Sequence, residues 1–264
     1  MIIHALTAAQ PQVGKTTLAN ETVSILNEVY GEGTAIKLSF ATTLKDEMIG
    51  VLKGPHVSHE VAELILTLDQ TSAKDKPMAM FAPNRVYHKA YQEWLCSQGG
   101  KELFESMSWR EHLIAYGTDY IRKTLGDETR WIRALVGSII KAQHKGYKVA
   151  IIDDCRGGNE VHSLSMFKDT VFTVVDRASI EGKQTAGLKA DKAWYDDYIE
   201  AFQTYSPLST PEEIQKALTV YLPDGVDKVR EAVLKEVKLL KKINAAPDDL
   251  KTKLLFNTVF HKEH

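Results

Sequence analysis

Ala9-Gln10-Pro11-Gln12-Val13-Gly14-Lys15-Thr16 is the stretch on which the reading of this chain turns. It matches the Walker A pattern except that Ala9 stands where the first glycine is usual. A small residue is tolerated there as long as its φ stays negative. Ile2 to Thr7, just before it, form a short apolar run that suits a buried strand. Just after it, Leu18, Ile25, Leu26 and Val29 fall near helical spacing, which predicts a helix over about 15–30, ended by Gly31 and Gly33. Residues 35–40 read as a second strand. In such a strand–loop–helix unit, successive backbone N–H groups wrap a phosphate at the positive end of the helix. Lys15 reaches the β- and γ-phosphates of ATP, the Thr16 hydroxyl ligates Mg²⁺, and Gly14 lets the backbone approach the anion. Gln12, Val13, Gly14, Lys15, Thr16 and Thr17 are therefore the candidate nucleotide-binding residues. A chance Gly-Lys-Thr at a helix start is the bland alternative, and the flanking strand and helix argue against it.

The rest of the chain extends this α/β pattern. The pairs Trp131/Ile132, Leu135/Val136 and Ile139/Ile140 predict a helix that Gly146 terminates, with strands following at 149–152 and 171–175. The expected architecture is an α/β, P-loop three-layer fold with a central, mostly parallel sheet flanked by helices. The core spans 1–205 and carries a helical insertion at about 46–107. Within the insertion, Val61, Leu64, Ile65 and Leu68 make a helical stripe, and Thr71 to Asn84 reads as a loop. Residues 206–264 read as a helical C-terminal extension, with Val226, Val229, Val233, Val237, Leu240 and Ile243 in one stripe. That stripe either packs on its own core or forms a self-association face that would make a homodimer.

Composition excludes several function classes. In 264 residues, 44% hydrophobic and 26% charged, the net charge is −2. That is an ordinary globular balance with no bulk drive toward nucleic acid or an anionic membrane. Cys96 and Cys155 make no disulfide framework and have no zinc-ligand spacing. No apolar run approaches the ~20 residues of a membrane helix, and the early loop leaves no room for a signal peptide. A cytoplasmic protein acting on small molecules is expected.

Three further motifs follow in order. They are Phe40-Ala41-Thr42-Thr43-Leu44-Lys45 after the second strand, Gly117-Thr118-Asp119-Tyr120-Ile121-Arg122 with Trp131 downstream, and Asp153-Asp154-Cys155-Arg156-Gly157-Gly158-Asn159-Glu160 after the strand at 149–152. Behind the loop, this set resembles the phage deoxynucleoside monophosphate kinase family over roughly residues 1–180. Thr42-Thr43 replace the Asp-Pro usual there, Gly157-Gly158 replace Phe-Pro, and the family's acidic, histidine-containing segment is not recognisable.

The resemblance implies ATP-dependent phosphoryl transfer to a deoxynucleoside monophosphate, in the host cytoplasm if the chain is phage-encoded. Arg122 and Arg156 would clamp the acceptor phosphate and the moving γ-phosphoryl, since guanidinium bonds phosphate bidentately and stays charged. Phe40, Lys45 and Trp131 would complete the acceptor site, although Trp131 also fits a core stripe and Lys45 a solvated first turn. At the end of a buried strand, Asp154 or Asp153 would hold Mg²⁺ together with Thr16. The basic segment 177–192 is read either as a closing lid or as a solvated loop. The alternatives are another small-molecule kinase of the dephospho-coenzyme A or phosphomevalonate type, and a nucleotide-switch ATPase. Against the switch, Gln10 stands where such proteins carry a signature lysine.

Overall fold

The computed structural model describes residues 1–8, 13–69, 71–177, 199–200 and 219–242. In chain order the elements are β1 (Ile2–Thr7), α1 (Lys15–Tyr30), β2 (Ala35–Leu38), α2 (Phe40–Lys53), α3 (His59–Asp69), α4 (Lys89–Ser97), α5 (Trp109–Ile114) and a π-helix (Ala115–Thr124). They continue with α6 (Arg130–His144), β3 (Val149–Ile152), α7 (Gly158–Ser165), β4 (Thr170–Asp176), β5 (Thr219–Tyr221) and α8 (Val226–Lys242). The chain divides into two compact units, one of residues 1–39 and 135–264, the other of residues 40–134.

The first unit holds a five-stranded sheet in the order β2-β3-β1-β4-β5, with every pair parallel. Both faces are covered, as parallel sheets require, and β1 and β3 are buried at every position. On one face Leu6, Val149, Ile151, Val175 and Val220 pack with Leu18, Ile25 and Leu26 of α1 and Val229, Val233 and Val237 of α8. Ala150 and Ile152 point the other way by strand alternation and are equally buried. The result is a three-layer α/β fold.

The C-terminal segment departs from its sequence reading as a helical extension. Thr219–Tyr221 completes the sheet as β5, with Val175 opposite Val220. Three residues carry too little alternation to be read as a strand. Val229, Val233 and Val237 of the α8 stripe are core packing, fully buried against their own unit, whereas Val226 at the helix start is exposed. Arg230 fastens α8 to α1 through Glu21 and Glu28, both at 2.8 Å. Ile243 and all of the segment 177–192 beyond Arg177 lie outside the described residues.

The second unit is helical and wider than the predicted 46–107 insertion. Its core gathers Met48, Leu52, Ile65, Phe81, Tyr91, Leu95, Trp109 and Tyr120. The loop expected at 71–84 is wound into short 3-10 turns at Ser72–Asp75, Ala79–Phe81 and Pro83–Arg85. A capping box starts α5: Ser108 accepts from the Glu111 amide, and Glu111 accepts from that of Ser108. Beneath it, the buried His112 ring donates from Nε2 to the Phe81 carbonyl (2.6 Å), which leaves Nδ1 to accept from the Tyr91 hydroxyl (3.1 Å).

Among the described residues each unit thus buries one histidine. Burial pushes His4 down to about 3. Burial likewise pushes His112 down to about 4, against the opposing pull of the Phe81 carbonyl. Below the ordinary value of about 6.5 the unfolded chain takes up protons that the folded chain refuses, so stability falls with falling pH from there down to the folded values. Each histidine contributes a slope of about 1.4 kcal/mol per pH unit in that window. Urea unfolding should accordingly show a steep loss of stability between about pH 6 and pH 4.5, where a chain with exposed histidines would show none.

Candidate functional site

The strand order sets the geometry of the sheet's C-terminal edge. From β1 the chain crosses to β2, beyond β3; from β3 it crosses the opposite way to β4, beyond β1. Right-handed crossovers then turn the two connections onto opposite faces, which opens a crevice between β1 and β3 at their carboxyl ends. Ala5 and Leu38 both stand level with Ile152, so the residues following β1, β2 and β3 emerge together at this edge.

The segment leaving β1 becomes α1 through Gly14, whose φ of 102° is left-handed and suits glycine. A Cβ on Gly14 would lie 2.8 Å from Arg177 Nη2 and 3.1 Å from a Leu222 methyl, so a guanidinium lies directly over this glycine. Lys15, half-buried, and Thr16, exposed, fill the first turn of α1, with half-buried Thr17 behind them and Val13 buried in front. No acidic residue occupies that turn. A lysine there opposes the helix dipole, whereas the same position suits the binding of an anion. Residues 9–12, including Gln12, lie outside the described residues.

The segment leaving β3 separates the two aspartates that the sequence left equivalent. Asp153 is 8% exposed and lies 3.8 Å from Lys37 Nζ. Asp154 is half-buried and accepts a 2.6 Å hydrogen bond from the Ser39 hydroxyl, just past the end of β2. Ser39 and Lys37 are the site-edge residues that sequence reasoning missed. Both act 115 or so positions away in sequence, and no local pattern signals such a pairing. The buried Cys155 thiol is pushed well up, first by burial and then by the Glu160 and Asp154 charges, which makes it an inert core group. Arg156 is exposed, whereas Gly157 and Gly158 after it are buried.

The donor set fits Mg²⁺, which takes oxygen ligands, keeps several waters and uses one or two carboxylates beside substrate phosphates. Thr16 and Asp154 supply such oxygens. Among the described residues no cluster of three or more His, Cys, Asp or Glu side chains could form a closed metal cage.

In the second unit the remaining candidates take varied places. Phe40 opens α2 and is buried. Lys45 is engaged with Asp69 at 2.8 Å, an ion pair that accounts for it without a phosphate. Arg122 is half-buried on the π-helix, a winding that is rare and recurs at functional sites. Gly117, on the same helix, is needed for packing, because a Cβ there would meet a Leu44 methyl at 2.8 Å. The Trp131 ring is 2% exposed, donates its indole N–H to the Gly117 carbonyl (3.3 Å) and carries the Arg130 guanidinium 5.7 Å from its centre. Of the two readings of Trp131, acceptor site and core stripe, this burial favours the core stripe. Arg130 in turn grips Glu47 with two bonds of 2.7 and 3.1 Å, and the Tyr116 hydroxyl donates to the same carboxylate.

Among the described residues no helix is long and apolar enough to cross a membrane. No protein-family model and no curated protein matches the chain.

Proposed function

We propose that this chain is a P-loop kinase that transfers the γ-phosphoryl group of ATP to a deoxynucleoside 5′-monophosphate, giving the diphosphate and ADP. The observation that carries the reading is the pairing, at one sheet edge, of a Gly14-Lys15-Thr16 helix start with an aspartate, Asp154, held by Ser39 at the end of the adjacent strand. The motif order behind that helix start favours a monophosphate acceptor over other small molecules. Nucleotides as substrates, a cytoplasmic setting and Mg²⁺ as cofactor belong to the same proposal.

An acceptor phosphate oxygen attacks the γ-phosphorus in line, the bond from the γ-phosphorus to the β,γ-bridging oxygen breaks, and ADP leaves with the electron pair. The acceptor oxygen is already anionic near neutral pH, so no strong general base is required and catalysis rests on positioning and charge neutralisation. Backbone N–H groups at the start of α1 and the Lys15 ammonium hold the β- and γ-phosphates. Thr16 and Asp154 would hold Mg²⁺, whose charge neutralises that developing on the phosphates. Ser39 orients Asp154, and Arg156 holds the acceptor phosphate.

The test is ADP release from MgATP with each of the four deoxynucleoside monophosphates and their ribose counterparts, with Lys15→Met as the blank. Lys15-dependent turnover with a deoxy acceptor is expected. Turnover only with dephospho-coenzyme A or phosphomevalonate would move the acceptor class, and acceptor-independent hydrolysis would favour a nucleotide switch. Within the proposed reaction, Arg156→Ala should raise the acceptor KM about tenfold or more while leaving the ATP KM nearly unchanged, as the loss of a charge-assisted bond to one substrate predicts. Unaltered acceptor kinetics in that variant would remove Arg156 from the site.

A further inference from the structure

Glu160 is 3% exposed, on the first turn of α7, and its carboxylate has turned back toward the strand that precedes the helix. One oxygen, Oε2, accepts from the Gly157 N–H at 3.2 Å and from the Arg156 N–H at 2.7 Å. A carboxylate that served only to cap α7 would bond the N-cap residue, Gly157. The shorter bond instead goes one residue further out, to Arg156, which is outside the helix.

The local sequence explains why such an anchor is needed. Gly157-Gly158 follow Arg156 directly, and two glycines leave a loop more conformational freedom than any other pair. Cys155, Gly157 and Gly158 are nevertheless buried, and Arg156 is exposed among them. The backbone is thus pinned on both sides of one outward-facing guanidinium. Two adjacent N–H groups of this kind could themselves cradle an anion. With Glu160 occupying them, anion binding on this loop falls to the Arg156 side chain.

We propose that Glu160 is a positioning residue whose buried carboxylate, by holding the Arg156 and Gly157 amides, fixes the loop that presents the Arg156 guanidinium to the acceptor phosphate. The acceptor part of this inference rests on the kinase reading; the anchoring part does not.

Four variants of the full chain test it: Glu160→Gln, Glu160→Ala, Arg156→Ala and the double variant Glu160→Ala/Arg156→Ala. Glu160→Gln keeps an oxygen that accepts the same two N–H groups, so its acceptor KM should stay within about threefold of the parent. Glu160→Ala should raise it about tenfold or more at nearly constant ATP KM, since misplacing a positioning group by about 1 Å costs up to ~100-fold. In the Arg156→Ala background the further loss should be under about twofold, because the two residues act as one unit. Additive losses, or equal losses for Gln and Ala, would overturn the proposal. Glu160→Asp, one methylene shorter, serves where Glu160→Ala does not fold, and should behave as Ala was expected to.

Amide hydrogen exchange separates the two parts. The Arg156 and Gly157 amides should exchange at least about tenfold faster in Glu160→Ala and unchanged in Arg156→Ala. Unchanged exchange in Glu160→Ala overturns the anchor. Parent protein without Lys15-dependent transfer overturns the kinase reading and the acceptor role, while exchange still decides the anchor.

Discussion

Lys15→Met should lower MgATP-dependent phosphoryl transfer about a hundred- to a thousandfold, the scale set by removing one preorganised donor from a developing oxyanion. The thermal midpoint should hardly move. A lysine in the first turn of α1 sits against the positive end of the helix dipole, so replacing it by a neutral side chain relieves about 0.3–1 kcal/mol of repulsion, which offsets what its own interactions contribute. The combination is diagnostic, because an ordinary surface lysine would change neither quantity and a structural one would change both. Near-normal turnover by Lys15→Met would remove this segment from the active site and with it the kinase reading.

Trp131→Ala should destabilise the protein by about 3–5 kcal/mol in urea unfolding, the usual cost of emptying a large aromatic site in a packed core. The ring lies among the residues that make up the helical unit's core, and its N–H satisfies the Gly117 carbonyl on the π-helix. Trp131→Phe retains most of the volume and loses that bond, so about 1–2 kcal/mol is expected. A base-stacking platform would behave differently. Its replacement by Phe would preserve stability and raise the acceptor KM, and that result would put Trp131 back in the site.

Much of the sheet was legible because its signals are local. The apolar spacing behind Lys15 gave the helix over 15–30, and the run at 149–152 gave β3. The second strand stops at Leu38, and Phe40 begins a helix instead of ending the strand, because an aromatic residue fits a buried first turn as well as a strand end. Long-range pairings were not legible. Ser39 finds Asp154, Lys45 finds Asp69 and Glu47 finds Arg130 only once helices and strands have packed, and a lysine seen in sequence as a phosphate ligand can be spoken for by a distant carboxylate. The π-helix was equally invisible, because its buried residues, Tyr116, Gly117, Tyr120 and Ile121, are spaced by one, three and four, as on an α-helix.

Leu222 stands over Gly14, and Arg230 holds Glu21 across 209 residues of chain. Part of the cover of the first helix is thus made by a segment that the ribosome delivers long after it. At ~5–20 residues per second, α1 waits roughly 10–40 s with one apolar flank unsheltered before α8 exists to close it. Contacts of such long sequence separation also slow folding, since the loop they close must be ordered first. Until α8 has been made, the nascent α1 is therefore open to aggregation and to chaperone capture.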